Sequence, residues 1–306
     1  MARNNHEKGK KCAWWVLVLG LLSSCTTSPV NHYNRGVAFQ DKGEPLKAAQ
    51  EYRRAIELNP RDPAPRFNLG VLYQDQGMLD LAREQYLAIL SNHPGYTPAW
   101  INLSSVQETQ GLLREAEESL GRAMESDKDS PMASSHLGLF LLRQGRIKEA
   151  EQAFLLALKR DPAWANALFG LGLVAETQGQ KEKALRAFQE AAQKNPMDME
   201  AHLKAAEILR EKGLQEEALR HLRRACEIAP SRGETFFSLG SLLYQLGRWR
   251  AAQDAYERAL HLGMDPRACH LALSQIHQRL ALEEHFAYER NLTRQEASKD
   301  KTGSPR

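Results

Sequence analysis

Residues 63–96 read PAPRFNLGVLYQDQGMLDLAREQYLAILSNHPGY, and one residue in this stretch, Gly77, organises the whole chain. Counting outward from it, glycine returns every 34 residues without a slip, at Gly43, Gly111, Gly145, Gly179, Gly213 and Gly247. On either side of Gly77, Pro65 to Gln76 and Leu79 to Asn92 carry apolar residues at three- and four-residue steps, the period of an amphipathic helix. Each copy therefore predicts two helices joined at a glycine. The residue just past a helix end commonly takes the left-handed conformation, which glycine enters without a Cβ penalty.

Other columns keep the same register. Alanine stands at Ala48, Ala82, Ala116, Ala150, Ala184, Ala218 and Ala252, where a small side chain lets the second helix approach the first closely. Four residues later come Tyr52, Tyr86, Leu120, Phe154, Phe188, Leu222 and Tyr256, expected to fill the space between hairpins. Proline closes five copies at Pro60, Pro94, Pro162, Pro196 and Pro230, stopping the second helix. Lys128 and Met264 break that column, with Pro131 and Pro266 close by.

Taken together, these residues resemble the tetratricopeptide repeat, a 34-residue helix-turn-helix unit. In the second copy the match is Leu69, Gly70 and Tyr73, then Gly77, Ala82, Tyr86 and Pro94. The Leu-Gly pair returns as Leu137-Gly138, Leu171-Gly172 and Leu239-Gly240. Departures are Arg35 for the leucine, Ser104 and Ala206 for the small glycine, and Ile89 where six copies have alanine. Ankyrin arrays need a Thr-Pro-Leu-His element, which the sequence lacks.

The resemblance implies an all-α, right-handed superhelical solenoid of seven repeats plus a capping helix. The expected repeats are 29–62, 63–96, 97–130, 131–164, 165–198, 199–232 and 233–266. One hairpin cannot bury its apolar face alone, so the array is stabilised by stacking and needs a polar cap. Residues 267–291 are expected to be that cap, as a helix or an irregular eighth hairpin. They carry Leu271, Leu273, Ile276, Leu280, Leu282 and Phe286 at helical spacing, with Ala281 where the glycine would fall. Residues 292–306 are expected to form a disordered tail.

The N-terminus has a different character. Arg3, Lys8, Lys10 and Lys11 precede an apolar run from Cys12 to Leu22, followed by Ser23, Ser24 and Cys25. This is a signal-peptide pattern. The run is about half of what a helix needs to cross a bilayer. Leu22-Ser23-Ser24-Cys25 resembles the bacterial lipobox, which implies a signal peptide at 1–24, a lipidated N-terminus and linker at 25–28, and a diacylglyceryl thioether plus an N-acyl group on Cys25. Two or more acyl chains make stable anchoring. Thr26 follows the cysteine where aspartate would signal retention, so the resemblance points to the bacterial envelope, at the outer membrane facing the periplasm. A signal anchor left uncleaved is the alternative.

Charge follows the same division. The chain has 41 Lys and Arg against 38 Asp and Glu, and removing residues 1–24, with four basic groups and Glu7, leaves 37 against 37. Nothing in that balance recommends nucleic acid as a partner. Short basic groups such as His221-Leu222-Arg223-Arg224 read as solvated helix faces.

The sequence has no glycine-rich phosphate loop, no His-Glu-x-x-His and no Cys-x-x-Cys. No enzymatic activity, catalytic residue, cofactor, metal or small-molecule substrate is expected. His270 and His277 could share a helix face but read as ordinary cap residues. An oxidising periplasm would allow a Cys226–Cys269 bridge; free thiols are the expectation.

In this family the first helix of each copy lines the concave wall of the superhelix. Mapped here, the resemblance directs Tyr33, Phe67, Val71, Ile101, Leu139, Leu142, Phe169, Leu173, Leu203, Phe237 and Tyr244 toward a groove, with Asn68 and Asn102 among them. Aromatic anchors and amides suit an extended or helical peptide. The family's chaperone-tail receptors clamp a terminal carboxylate with lysine, arginine and asparagine. Here Val37 and Pro98 occupy that wall, which argues against the same route. The expected function is a membrane-anchored scaffold or adaptor for another envelope protein, resembling pilus-assembly lipoproteins and lipoproteins that organise cell-wall hydrolases. A signal-anchored peptide receptor with chaperone-like activity is the alternative.

Overall fold

The structure, a computed structural model, describes residues 28–302, with side chains for all of these except 289 and 292–302. The leader, Cys25 and Thr26 lie outside the described residues. Among these, fifteen helices and no strand occur. The first four hairpins are α1 (Pro29–Asp41) with α2 (Pro45–Leu58), α3 (Pro63–Asp75) with α4 (Leu79–Asn92), α5 (Thr97–Thr109) with α6 (Leu113–Ser126), and α7 (Pro131–Arg143) with α8 (Ile147–Arg160). Three more follow: α9 (Ala165–Thr177) with α10 (Lys181–Lys194), α11 (Met199–Glu211) with α12 (Gln215–Ile228), and α13 (Gly233–Gln245) with α14 (Trp249–His261). A single helix, α15 (Pro266–Thr302), ends the series.

Every hairpin turns at its periodic glycine. All seven have positive φ, between 70° and 77°. After α3, the Gly77 amide donates to the Gln74 carbonyl at 3.0 Å and the Met78 amide to the Tyr73 carbonyl at 2.8 Å. This pair of bonds satisfies carbonyls that a helix end would otherwise leave bare. The same six-residue closure recurs from Glu44 to Phe39 and from Arg248 to Leu243, both at 2.9 Å. Proline starts α1, α2, α3, α7 and α15, where a missing N–H costs no helical bond.

The periodic alanines are the tightest points of the stack, all seven at 0% exposure. The large residue four positions later works differently from the expectation that it fills space between hairpins. It lies inside its own hairpin, over the small residue of the first helix. A Cβ added to Gly36, Gly70, Gly138 or Gly172 would sit within 2.5 to 2.6 Å of the ring of Tyr52, Tyr86, Phe154 or Phe188, and one at Gly240 within 3.0 Å of Tyr256. The two hairpins that lack this glycine, with Ser104 and Ala206, carry Leu120 and Leu222 in place of a ring. Hole and knob thus change together, as close packing requires.

The chain divides into two compact units, one closing at Arg160 and one opening at Asp161. In the first, Ala48, Tyr52, Leu69, Tyr73, Ala82, Tyr86 and Ile89 belong to one core. In the second the core runs from Ala175 to Ile276. Within each unit the second helix of one hairpin packs on the first helix of the next.

The C-terminal segment departs from expectation in its length. It is one uninterrupted helix, the first of the two expected forms, but it continues to Thr302, past the residue where a disordered tail was expected to begin. Residues 292–302 contain neither glycine nor proline and are rich in helix formers, so nothing local stops the helix before Gly303. Only the opening turns cap the stack: Cys269, Leu273 and Ile276 are buried against α14, whereas Leu271, Leu282 and Phe286 are exposed.

Candidate functional site

The expected groove residues all fall on first helices. In the first unit these are Tyr33 on α1, Phe67, Asn68 and Val71 on α3, Ile101 and Asn102 on α5, and Leu139 and Leu142 on α7. Ile101 is a correction. Its side chain is 5% exposed and packs with Ala123 and Ala133, serving the core between α5, α6 and α7 rather than an open wall. The others are half-buried.

The wall's aromatic rings gain their partial burial from second-helix rings of the same hairpin. Tyr33 meets Tyr52 at 6.1 Å between centroids and Phe67 meets Tyr86 at 5.9 Å, with Tyr96, just ahead of α5, adding a further ring 5.7 Å from Phe67. In the second unit Phe169 rests on Phe188 at 5.3 Å, Phe237 on Tyr256 at 5.1 Å and Tyr244 on Trp249 at 4.9 Å. Tilted and edge-on contacts of this kind hold a ring in place while leaving part of it free. Leu173 and Leu203 pack beside these rings at the margin of the second core.

Asn68 and Asn102 have structural partners. The Tyr52 hydroxyl donates to Gln40 Oε1 at 2.8 Å and accepts from Asn68 Nδ2 at 3.5 Å; Asn68 also donates to the Tyr33 hydroxyl at 3.3 Å. One repeat on, Tyr86 donates to Gln74 at 3.1 Å and accepts from Asn102 at 3.3 Å. Burial pushes the Tyr86 phenol up to about 12, against the Asn102 bond that lowers it, so the hydroxyl keeps its proton and remains a donor. These amides therefore fix successive hairpins to one another. The periodicity that located them on the first helices held no sign of the tyrosine hydroxyls waiting one hairpin earlier.

Charges near the wall are answered internally. Arg143 on α7 forks onto Glu108 of α5 at 2.6 and 2.8 Å, and Lys204 on α11 reaches Glu176 of α9 at 2.9 and 3.0 Å. The basic run at 221–224 is only partly solvated: Leu222 is buried and His221 turns inward to His202, their Nδ1 atoms 3.0 Å apart. Cys226 and Cys269 are free and buried, and burial pushes the Cys226 thiol up to about 11. Among the described residues no cluster of three or more metal-ligating side chains forms, and no helix is long and apolar enough to cross a membrane.

Stacked helix hairpins with a small-to-large interlock and a half-buried first-helix wall define a helical-repeat protein built to present surface. A family model described as "Cilia and flagella-associated protein 70 C-terminal domain" matches residues 28–236, and one described as "Tetratricopeptide repeat" matches residues 235–269. The chain belongs to the first of these families, itself one of tetratricopeptide repeats. No curated protein matches the sequence.

Among solved structures, yeast Tom70 is similar over 84% of this chain and 54% of its own, at 16% identity and a TM-score of 0.68. A tetratricopeptide repeat protein from Parabacteroides merdae aligns over 81% of this chain and 98% of its own, at 19% identity and a TM-score of 0.53. The APC/C hetero-tetramer Cut9–Hcn1 aligns over 81% of this chain and 48% of its own, at 15% identity and a TM-score of 0.59. At these identities the likeness is one of fold.

Proposed function

We propose that this protein is a non-catalytic, lipid-anchored scaffold or adaptor of the bacterial cell envelope, holding a protein partner along its first-helix wall for assembly of a pilus, secretion or cell-wall complex. The observation that carries the binding role is the first-helix wall within each unit, where Phe67 in the first and Phe169, Phe237 and Tyr244 in the second are braced from behind yet only half-buried. Rigid aromatic anchors of this kind dominate binding energy at protein interfaces, and repeat arrays present such surfaces to partners. The similar Cut9–Hcn1 structure is that of a hetero-tetramer, which supports a protein partner here by analogy of fold. The anchoring role rests on Leu22-Ser23-Ser24-Cys25 in the sequence.

Two measurements test the proposal. Cys25→Ser is expected to leave the helical content unchanged and to move the protein from membrane to soluble fractions, and mass spectrometry of the wild type should find a lipidated peptide beginning at Cys25. Recovery of intact Met1 to Lys11 peptides from the mature protein would instead favour the signal-anchored receptor. Crosslinked envelopes should yield one enriched protein partner, lost on Phe67→Ala with Phe237→Ala; an anchored chain without such a partner counts against a scaffold.

A further inference from the structure

The last helix outruns the stack that it closes. Cys269, Leu273 and Ile276 are buried and Leu280 is half-buried, but every described side chain from Ala281 onward is exposed, Phe286 at 59% and Tyr288 at 63%. Beside Leu280 a cleft of about 400 Å³ opens, lined by Arg250 of α14 and by Glu283, Glu284, Ala287 and Arg290 of α15, so α14 does not cover this stretch. The helix runs on to Thr302, about 33 Å past Leu280 at 1.5 Å per residue.

Helices take most of their stability from a packed face, and an exposed one needs many ion pairs between residues three or four apart. No lysine or arginine stands three or four residues after Glu283, Glu284 or Glu289. Arg279, four residues before Glu283, lies over the Trp249 ring. Charge is instead sorted along the helix. Residues 281–289 hold Glu283, Glu284 and Glu289 and no lysine or arginine, whereas residues 290–302 hold Arg290, Arg294, Lys299 and Lys301 against Glu296 and Asp300. The helix dipole does not demand this order, because it acts within the terminal turn and Glu283 lies about five turns in from Pro266. Turned end for end, the stretch is complementary to itself.

We infer that residues 281–302 of α15 pair antiparallel with the same residues of a second copy of this chain, about a two-fold axis near Asn291 and Leu292. Symmetry makes the contact twice, each time laying the acidic half of one copy along the basic half of the other. A parallel pair would set like charge on like. Leu282 and Phe286, one turn apart and exposed, supply the apolar contact. A foreign helix would need the same length and the reverse order of charge; a second copy supplies both. The pairing uses none of the first-helix wall and does not depend on the scaffold reading.

The test uses the full chain in detergent. Sedimentation should give twice the protein mass per particle, and a chain ended at Leu280 should be monomeric with its hairpins intact. Nitroxide labels at Asn291→Cys should lie close to their mates, and labels at Ala281→Cys about 30 Å apart, a separation set by the helix rise. Glu283→Lys with Glu284→Lys, and separately Arg294→Glu with Lys299→Glu and Lys301→Glu, should each weaken self-association by about tenfold or more, and mixing the two chains should restore it. A full chain monomeric up to about 100 μM, a dimer that survives the truncation, short distances at both label positions, or a mixture no tighter than its components would overturn the inference.

Discussion

Glycine has two unrelated duties in this chain, and they separate at the level of single atoms. At Gly77 the backbone is left-handed, φ 72°, and a Cβ would meet nothing within 4 Å, so substitution there strains the backbone without a clash. At Gly70 the backbone is ordinary helix, but a Cβ would stand 2.6 Å from the Tyr86 ring. Gly70→Ala is therefore an overpacking change, expected to cost about 1–3 kcal/mol. Its cost should fall in a Tyr86→Leu background, because Ala206 with Leu222 shows that combination in the same fold. A double-mutant cycle in urea should give a favourable coupling of about 1 kcal/mol or more; strictly additive costs would refute the knob-and-hole account. Both glycine columns were legible in the sequence. What was not legible was that the second column answers to a ring sixteen residues later.

At the scale of helices, α11 and α12 meet through His202 and His221. Their Nδ1 atoms are 3.0 Å apart, so one ring must carry the proton that the other accepts. Burial is the first cause holding both below the ordinary 6.5; the neighbouring Arg224 lowers His202, and His202 and Arg220 lower His221, with Asp198 and Glu217 acting in opposition. A histidine depressed by folding stays neutral where the unfolded chain takes up a proton. Its stability contribution is thus complete above about pH 6.5 and is lost as pH falls below it. The urea midpoint is expected to be lower at pH 5.5 than at 7.5, and His221→Asn should shrink the difference.

The last helix offers a second test at this scale. Removing residues after Leu280 deletes only exposed side chains among those described and should change stability by less than about 0.5 kcal/mol. Removal from Pro266 onward uncovers what Cys269, Leu273 and Ile276 bury on α14, at about 1.5–3 kcal/mol for each large apolar side chain. Chemical denaturation of the two truncations distinguishes these. The expected apolar stripe from Leu271 to Phe286 was too long because periodicity shows which residues share a face, not how far the neighbouring helix extends beneath it.

Within each unit contacts are made hairpin to hairpin, so the stability of a unit is a sum of repeat and neighbour terms. Gly70→Ala should accordingly raise amide exchange in α3 and α4, then in α2 and α5, while α7 and α8 keep their protection. Uniform loss across all eight helices of the first unit would show a single cooperative body instead.

The repeat length, the turn glycines and the assignment of nearly every described residue to a helix were already present in the linear order of residues. Backbone conformation is a local property, and 34-residue periodicity states it seven times. The occupants of each contact were another matter. Ile101 sinking into the core, Asn68 and Asn102 holding tyrosines, two histidines sharing a proton and a cavity beside Leu222 all depend on which side chains from different helices arrive at one point. Distance in space between residues remote in the chain is set by packing, and packing is where a column of letters becomes a surface.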